Sequence, residues 1–294
     1  MTLGEFYHKF NAKLRKIYFN CTVLKRYPGQ LRDACYNWKV YNYLKKKYKY
    51  LIDNHAINNN RKKSNKVWWC WLQGEERAPE LCKSCLASLR ENLKDREIIV
   101  ITENNYSDYV ELPDYIIKKY KKGKITRTHF SDILRVQLLV KNGGTWIDSS
   151  TLCTSFDQNF FDKELFVFAN MLKEDHSIVC SSWFITAETN NPILSLTRDL
   201  LFEYWKKKNT LINYFLFHIF FTIATEKYSK YWKNVSKFSN VPPHILQFEI
   251  MDDFNKDRWN DISKMSSFHK LTQKADFSKA SKNSFYSYII KKYK

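Results

Sequence analysis

The chain is short of the residues that divide a fold into pieces. Its 294 residues include only six glycines and six prolines. No Pro/Gly/Ser-rich linker separates one half from the other, so one continuous core is expected. Long apolar runs are also lacking. The longest, Tyr214 to Ala224, carries His218 within it and is about half of the ~20 residues that cross a bilayer. No span is expected, which leaves peripheral contact as the way to meet a membrane. The opening MTLGEFYHKF has neither the uninterrupted apolar segment nor the small-residue cleavage site of an export signal, so a cytoplasmic location is expected. Cysteines are few and odd in number: Cys21, Cys35, Cys70, Cys82, Cys85, Cys153 and Cys180. Scattered in this way they are no disulfide framework and read as reduced core thiols. Cys82-Lys-Ser-Cys85 has the C-x-x-C spacing, but no second Cys or His pair lies at zinc-finger distance. The segment reads as a helix placing both sulfurs on one face.

Acidic residues are scarce beside basic ones, 30 against 49, which gives a formal net charge of +19. So basic a chain draws nucleic acid, anionic lipid headgroups or phosphorylated substrates, and composition alone does not choose among them. There is no RNP sequence or finger that would favour nucleic acid, and none is expected as a partner. Lysines stand beside tyrosines at Lys45 to Tyr48, Lys118 to Lys122 and Lys291 to Tyr293. Such clusters suit an anionic membrane face, the alternative being an ordinary solvated lysine-rich surface.

With 44% hydrophobic and 17% aromatic residues, the chain can bury a sizeable core. Residues 1–65 have no strong strand pattern and end in the polar run Asn58 to Lys66; they read as a basic, helical N-terminal appendage. Within it, Trp38 to Ile52 places Val40, Tyr43, Leu44, Tyr48 and Leu51 at helical spacing with lysines between. Residues 66–294 form the second expected unit. Val67 to Leu72 is a wholly apolar run, hence a buried strand, followed by a helix over Pro79 to Leu93 and a second strand over Glu97 to Thr102. A helix opened by Pro113 and closed at Gly123 comes next. Another helix over Ser131 to Lys141 stops at Asn142-Gly143-Gly144 and gives way to a strand over Thr145 to Asp148. Strands alternating with crossover helices predict an α/β fold on a parallel sheet, with a ligand crevice at the strands' carboxyl ends. Further strands are expected near Leu165 to Ala169 and Ile178 to Thr186, and helices near Pro192 to Trp205 and Leu211 to Lys227. The pattern from Pro242 to Lys294 assigns no elements.

The segment richest in chemistry is His129-Phe-Ser-Asp-Ile-Leu-Arg135, followed after the Gly-Gly turn by Thr145-Trp-Ile-Asp-Ser-Ser150. Asp132 and Arg135 are three apart on one helix and share a face, offering an acceptor and a cation. Asp148 at the end of the next strand emerges near the start of that helix. Together they can hold a ribose, a diphosphate and a divalent cation. Each has a plainer reading: Asp132 beside a helix N-terminus, Arg135 as its ion-pair partner, Asp148 as a turn residue.

These motifs in this order resemble the capsular polysaccharide synthesis proteins and, more distantly, the DxD-containing sugar transferases that include Golgi mannosyl- and galactosyltransferases and the large glucosylating toxins. The resemblance rests on Trp71-Leu-Gln-Gly74 with Ala78-Pro79, Ser131 to Arg135, and Gly143 to Asp148. Weaker echoes are Asn213-Tyr-Phe-Leu-Phe-His218 and His269-Lys-Leu-Thr272. It implies a GT-A glycosyltransferase fold with a mixed, mostly parallel sheet, and transfer of a sugar from a nucleotide sugar, a UDP-sugar being favoured, to a glycan or lipid-linked glycan of the cell surface, with retention. An inverting enzyme would instead need a base such as Asp157, Glu188, Asp252 or Asp253.

By the same resemblance, Trp71 stacks on the base with Gln73 close by, or else packs in the core; Asp132 meets the ribose and Arg135 the sugar or diphosphate. Asp148 touches the sugar and a divalent metal, Mn²⁺ or Mg²⁺, and His269 and Lys270 come over the metal and diphosphate. The second DxD aspartate falls at Ser150, which offers only a hydroxyl. That departure leaves open a site in which a single carboxylate with waters and two phosphates holds Mg²⁺, one in which Arg and Lys neutralise the diphosphate without metal, and also an inactive relative that binds nucleotide sugar or glycan.

Overall fold

The computed structural model describes residues 29–170 and 175–294; Cys21 and the first part of the expected appendage lie outside them. The described chain opens with α1 (Gly29–Lys47) and α2 (Lys49–Asn54). It then alternates through β1 (Lys66–Cys70), α3 (Glu80–Asn92), β2 (Glu97–Ile101), the short α4 (Tyr106–Tyr109), α5 (Asp114–Lys121), α6 (Arg127–Asn142), β3 (Gly144–Ile147) and β4 (Thr151–Cys153). Next come β5 (Leu165–Ala169), β6 (Cys180–Ala187), α7 (Pro192–Lys207), α8 (Leu216–Lys227), α9 (Ser229–Lys233) and β7 (Lys237–Phe238). The last elements are α10 (Ile245–Glu249), α11 (Lys256–Met265), β8 (Phe268–Lys270) and α12 (Phe285–Lys292).

The main sheet has the order β2-β1-β3-β6-β5-β7. β1 pairs in parallel with β2 and β3, β6 runs antiparallel to β3 and β5, and β7 is parallel to β5. β6 alone therefore runs against the others, and the sheet is mixed but mostly parallel, with helices on its faces, as expected. A second, two-stranded sheet pairs β4 with β8.

The apolar run of β1 follows from its central place. A strand covered on both faces needs apolar residues at successive positions. Trp68 and Trp69 are both fully buried, Trp68 in the cluster that includes Ile133, Val136, Leu200 and Phe220 of α6, α7 and α8, and Trp69 in the one that includes Cys82, Leu86 and Leu89 of α3. The other side of α3 gives Leu81 and Cys85 to a third cluster with Leu246, Ile262, Phe285 and Ile289. The two sulfurs of the C-x-x-C segment thus enter different clusters instead of sharing one. Burial pushes the Cys82 thiol up to about 11 and the Cys85 thiol well above its usual value, which keeps both protonated and unreactive at neutral pH.

Three local expectations are corrected. The buried line of α1 and α2 is Val40, Tyr41, Leu44, Tyr48 and Ile52, in the same cluster as Trp68, whereas Tyr43 is 46% exposed and Leu51 only partly buried. Tyr41 turns inward because its hydroxyl has a partner there, the Glu226 carboxylate on α8. Helix α6 begins at Arg127, four residues before Ser131, because the Thr126 hydroxyl accepts the His129 amide and caps it. The first strand ends at Cys70, so Trp71 lies just past it, in a turn closed by the Gly74 amide donating to the Trp71 carbonyl. The turn between α6 and β3 requires glycine. Gly144 has φ +92°, and a Cβ there would lie 2.3 Å from the Lys66 carbonyl oxygen. That close approach seats β3 against β1.

Candidate active site

Asp148 follows the last residue of β3, and two neighbours hold its carboxylate. The β3 residue two before it, Trp146, shares its side of the strand and donates its indole N–H to Asp148 Oδ1 at 2.8 Å. Arg135 Nη2 donates to the same oxygen at 2.8 Å, and Arg135 Nη1 to Asp132 Oδ1 at 2.8 Å. The planar guanidinium is thus a bridge between two carboxylates, one from α6 and one from the end of β3. Its Cζ lies 4.7 Å from the Trp146 ring centre and 5.7 Å from that of Phe217, so aromatic faces enclose the cation. Burial would push the Asp148 carboxyl up; Arg135, Lys270 and the Trp146 hydrogen bond outweigh it and hold the group below its ordinary value.

Behind this pair stands a second tier. His129 Nδ1 is 3.4 Å from Asp132 Oδ2, and His129 Nε2 is 2.8 Å from Trp205 Nε1. An indole nitrogen only donates. His129 Nε2 is therefore the acceptor, and the ring turns an Nδ1–H toward Asp132.

Lys270 approaches from β8, far along the chain. Its Nζ is 2.5 Å from Ser150 Oγ and 3.5 Å from Asp148 Oδ2. Ser150 in turn donates to the Leu271 carbonyl at 2.9 Å. His269 precedes Lys270 on the strand and so points the other way. It is fully buried, its Nε2 is 3.2 Å from Thr154 Oγ1, and burial lowers it to about 4. The structure brings together Asp132, Arg135, Asp148, Ser150 and Lys270; it does not bring His269 to them.

Asp148 and Lys270 line a cavity of about 380 Å³ at the carboxyl ends of β3 and β5 and the start of β6, the place a sheet of this kind offers a ligand. Asn170, Ser181, Ser182, Trp183, Tyr214, His218, Asn240 and His244 share its wall, and α1 closes one side with Asp33 and Asn37. The α1 side is braced by Asn37 donating to Asp175 Oδ2 at 3.0 Å and accepting from Asn213 at 2.8 Å. Burial lowers His218 to about 4, so it is neutral near pH 7, and its Nδ1 is buried without a protein partner among the described residues. Trp71 and Gln73 do not line this cavity, nor do Asp157, Glu188, Asp252 and Asp253. Trp71 is partly buried against the Trp69 side of the sheet, and Gln73 is exposed on the turn beside it.

The sequence reading missed Trp146 as a partner of Asp148, although the i, i+2 spacing in Trp-Ile-Asp would have revealed it. It also missed the part of α1 in the cavity wall, which no local pattern signals.

The expected metal set was Asp148, Ser150 and His269, and these residues do not fit a divalent cation. Of the three only Asp148 is a carboxylate, its Oδ1 already accepts two N–H donors, and an ammonium stands beside Oδ2. Ser150 donates its proton elsewhere and His269 faces away. Among the described residues no group of three His, Cys, Asp or Glu side chains is arranged to hold a metal.

Fold and site together define an α/β protein with a polar, charge-paired cavity at its strand ends. The family of the capsular polysaccharide synthesis protein matches residues 29–289, and the chain belongs to that family. Comparison with curated proteins gives no match. Among solved structures the PaToxG glycosyltransferase is similar at 15% identity, over 69% of this chain and 84% of that one, with a TM-score of 0.40.

Proposed function

We propose that this chain is a glycosyltransferase of capsule synthesis, moving a sugar from a nucleoside diphosphate sugar to a hydroxyl of a glycan precursor. One observation carries the reading. In a member of a capsular polysaccharide synthesis family, Asp148 is fixed by Arg135 and Trp146 and faced by Lys270, on the wall of a cavity of amides, hydroxyls and aromatic rings. A wall of that chemistry suits a sugar: amides and hydroxyls pair with its hydroxyls, while the exposed Tyr214 ring is available to its C–H edges.

In the reaction the bond from the sugar's anomeric carbon to the diphosphate oxygen breaks, and its electron pair leaves with the diphosphate. The acceptor oxygen bonds to that carbon and loses its proton. The protein's tasks are to position the donor, stabilise the leaving charge and exclude water. In this reading Asp148 accepts a hydroxyl of the transferred sugar, Arg135 holds Asp148 in place, and Asp132 meets the ribose. Trp71 and Gln73, outside the cavity on the turn after β1, would meet the base where the donor extends beyond the cavity, and a UDP-sugar is the favoured donor. Retention and a lipid-linked acceptor complete the reading. Among the described residues no helix is long and apolar enough to cross a membrane, so contact with such an acceptor is proposed through the basic, aromatic outer side of α1.

The test is release of nucleoside diphosphate from UDP-, GDP- and dTDP-sugars by the purified protein. One donor is expected to be turned over, with Asp148→Asn slowing it by about a hundredfold or more. If no donor is turned over and none binds, the transferase reading fails and a glycan-binding accessory role takes its place.

A further inference from the structure

We infer that the Lys270 ammonium takes the place a divalent cation holds in DxD enzymes, so that the donor's diphosphate binds here without metal. The inference rests on the reading of this cavity as the donor site and adds to it the chemistry that meets the phosphates.

The geometry of the charges leads to it. Asp132 and Asp148 bring two negative charges, and Arg135 and Lys270 two positive ones. The carboxylates are thus matched before any ion arrives. A divalent ion on Asp148 would sit a few ångströms from both cations, where like charges repel strongly in a partly buried site. The share of ligands this group of residues could give is also small: Asp148 Oδ1 already accepts from Arg135 and Trp146, which leaves Oδ2, beside the Lys270 ammonium, so Mg²⁺ here would draw nearly all of its six oxygens from water and phosphate. Ser150, standing where the second aspartate would be, is turned to the Leu271 carbonyl.

The two cations are not equivalent. Arg135 is 4% exposed and donates to both carboxylates, so it is committed to structure. Lys270 lines the cavity, its side chain is 20% exposed, and Asp148 Oδ2 lies 3.5 Å away, at the edge of hydrogen-bond reach. Of the three N–H groups of an ammonium, one is directed to Ser150 Oγ, and the others can turn to a phosphate oxygen. When the sugar–oxygen bond breaks, the diphosphate gains one negative charge, and a cation already in contact with it offsets that charge without moving. Ser150 acts as the positioning residue, anchoring Nζ from β8 through its own bond to Leu271.

The experiment is calorimetric titration of the full chain with UDP, GDP and dTDP, in EDTA and again in Mn²⁺ or Mg²⁺. One of these diphosphates is expected to bind in EDTA within about threefold of its affinity with metal. Lys270→Met should weaken that binding by about ten- to hundredfold, as expected for loss of one hydrogen bond to a charged group, while Lys270→Arg should keep most of it. Binding of the nucleoside without phosphates should be equal in wild type and Lys270→Met. Binding that appears only with metal overturns the inference and leaves the donor site standing, and so does a Lys270→Met protein that binds as the wild type does. If no diphosphate binds under either condition, the donor-site reading falls with it.

Discussion

Arg135 is the residue on which the candidate site turns, because a single guanidinium satisfies two carboxylates from different elements. Replacing it by methionine would leave Asp132 without a cation and Asp148 with Lys270 alone. Breaking a buried pair in this way costs about 3–5 kcal/mol, so Arg135→Met should lower the urea midpoint strongly, while Asp132→Asn with Asp148→Asn should recover part of the loss. Arg135→Lys keeps the charge but not the fork, and should stabilise less than arginine does.

His269 belongs to a different test, one of pH. Its folded value is lowered to about 4 by burial. Between its ordinary value of 6.5 and about 4, the unfolded chain takes up a proton that the folded chain does not, and stability therefore falls as pH falls. The full effect is on the order of 3 kcal/mol. His269→Asn, which keeps a polar partner for Thr154, should remove that share of the acid slope in denaturant titrations run from pH 7 to pH 4. A slope equal to wild type would show that His269 takes its proton equally easily in both states. Asp148 acts lower on the scale. Its depressed pKa contributes stability above 3.8 that is lost as pH falls through the folded value.

Among elements, the turn between α6 and β3 has the most demanding backbone. Gly144→Ala would force Cβ toward the Lys66 carbonyl at 2.3 Å in a left-handed conformation. The cost should exceed about 2 kcal/mol. Activity should fall as well, since the β1–β3 pairing sets the position of Asp148; equilibrium unfolding and donor turnover measured on the same preparation check both. This turn, the helix before it and the strand after it were all legible in the sequence, because glycine, helical spacing and a short apolar strand are local signals. The grouping of Asp132, Arg135 and Asp148 was legible for the same reason. What was not legible depends on distant pairing. Whether His269 or Lys270 faces Asp148 is decided by the β4–β8 register, Thr151 opposite Lys270 and Leu152 opposite His269, and a two-fold alternation read without its partner does not say which face is which. The inward tyrosine of α1 was hidden likewise, because Tyr41 and Tyr43 are equivalent until Glu226 of α8 is placed beside one of them. The C-terminal elements are too short for any period to register.

For the whole molecule, the dominant quantity is the net charge of +19, and its use is best judged where charge and aromatic rings coincide. The outward side of α1 and α2 exposes Trp38, Tyr43 and Tyr50 at 45%, 46% and 48%. Lys46 is exposed among them, and Lys47 Nζ bonds the Tyr43 hydroxyl at 3.0 Å. The inward side of the same helices is locked into the main core through Leu44 and Tyr48, so this face is held rigidly on the body that carries the cavity, and α1 itself supplies Asp33 and Asn37 to the cavity wall. A membrane engaged by the outer face would thus lie near the proposed acceptor side. Each lysine near an anionic surface is worth about 1 kcal/mol, and the attraction fades over a Debye length of about 8 Å at physiological salt. Flotation with vesicles containing about a third anionic lipid should capture the chain at low ionic strength and release it progressively as salt rises. Tyr43→Ala combined with Lys46→Glu should weaken capture without changing donor hydrolysis in solution, because neither side chain lines the cavity. Capture unchanged by these substitutions would move the contact to another basic face, and no capture even at low salt would reject the membrane contact.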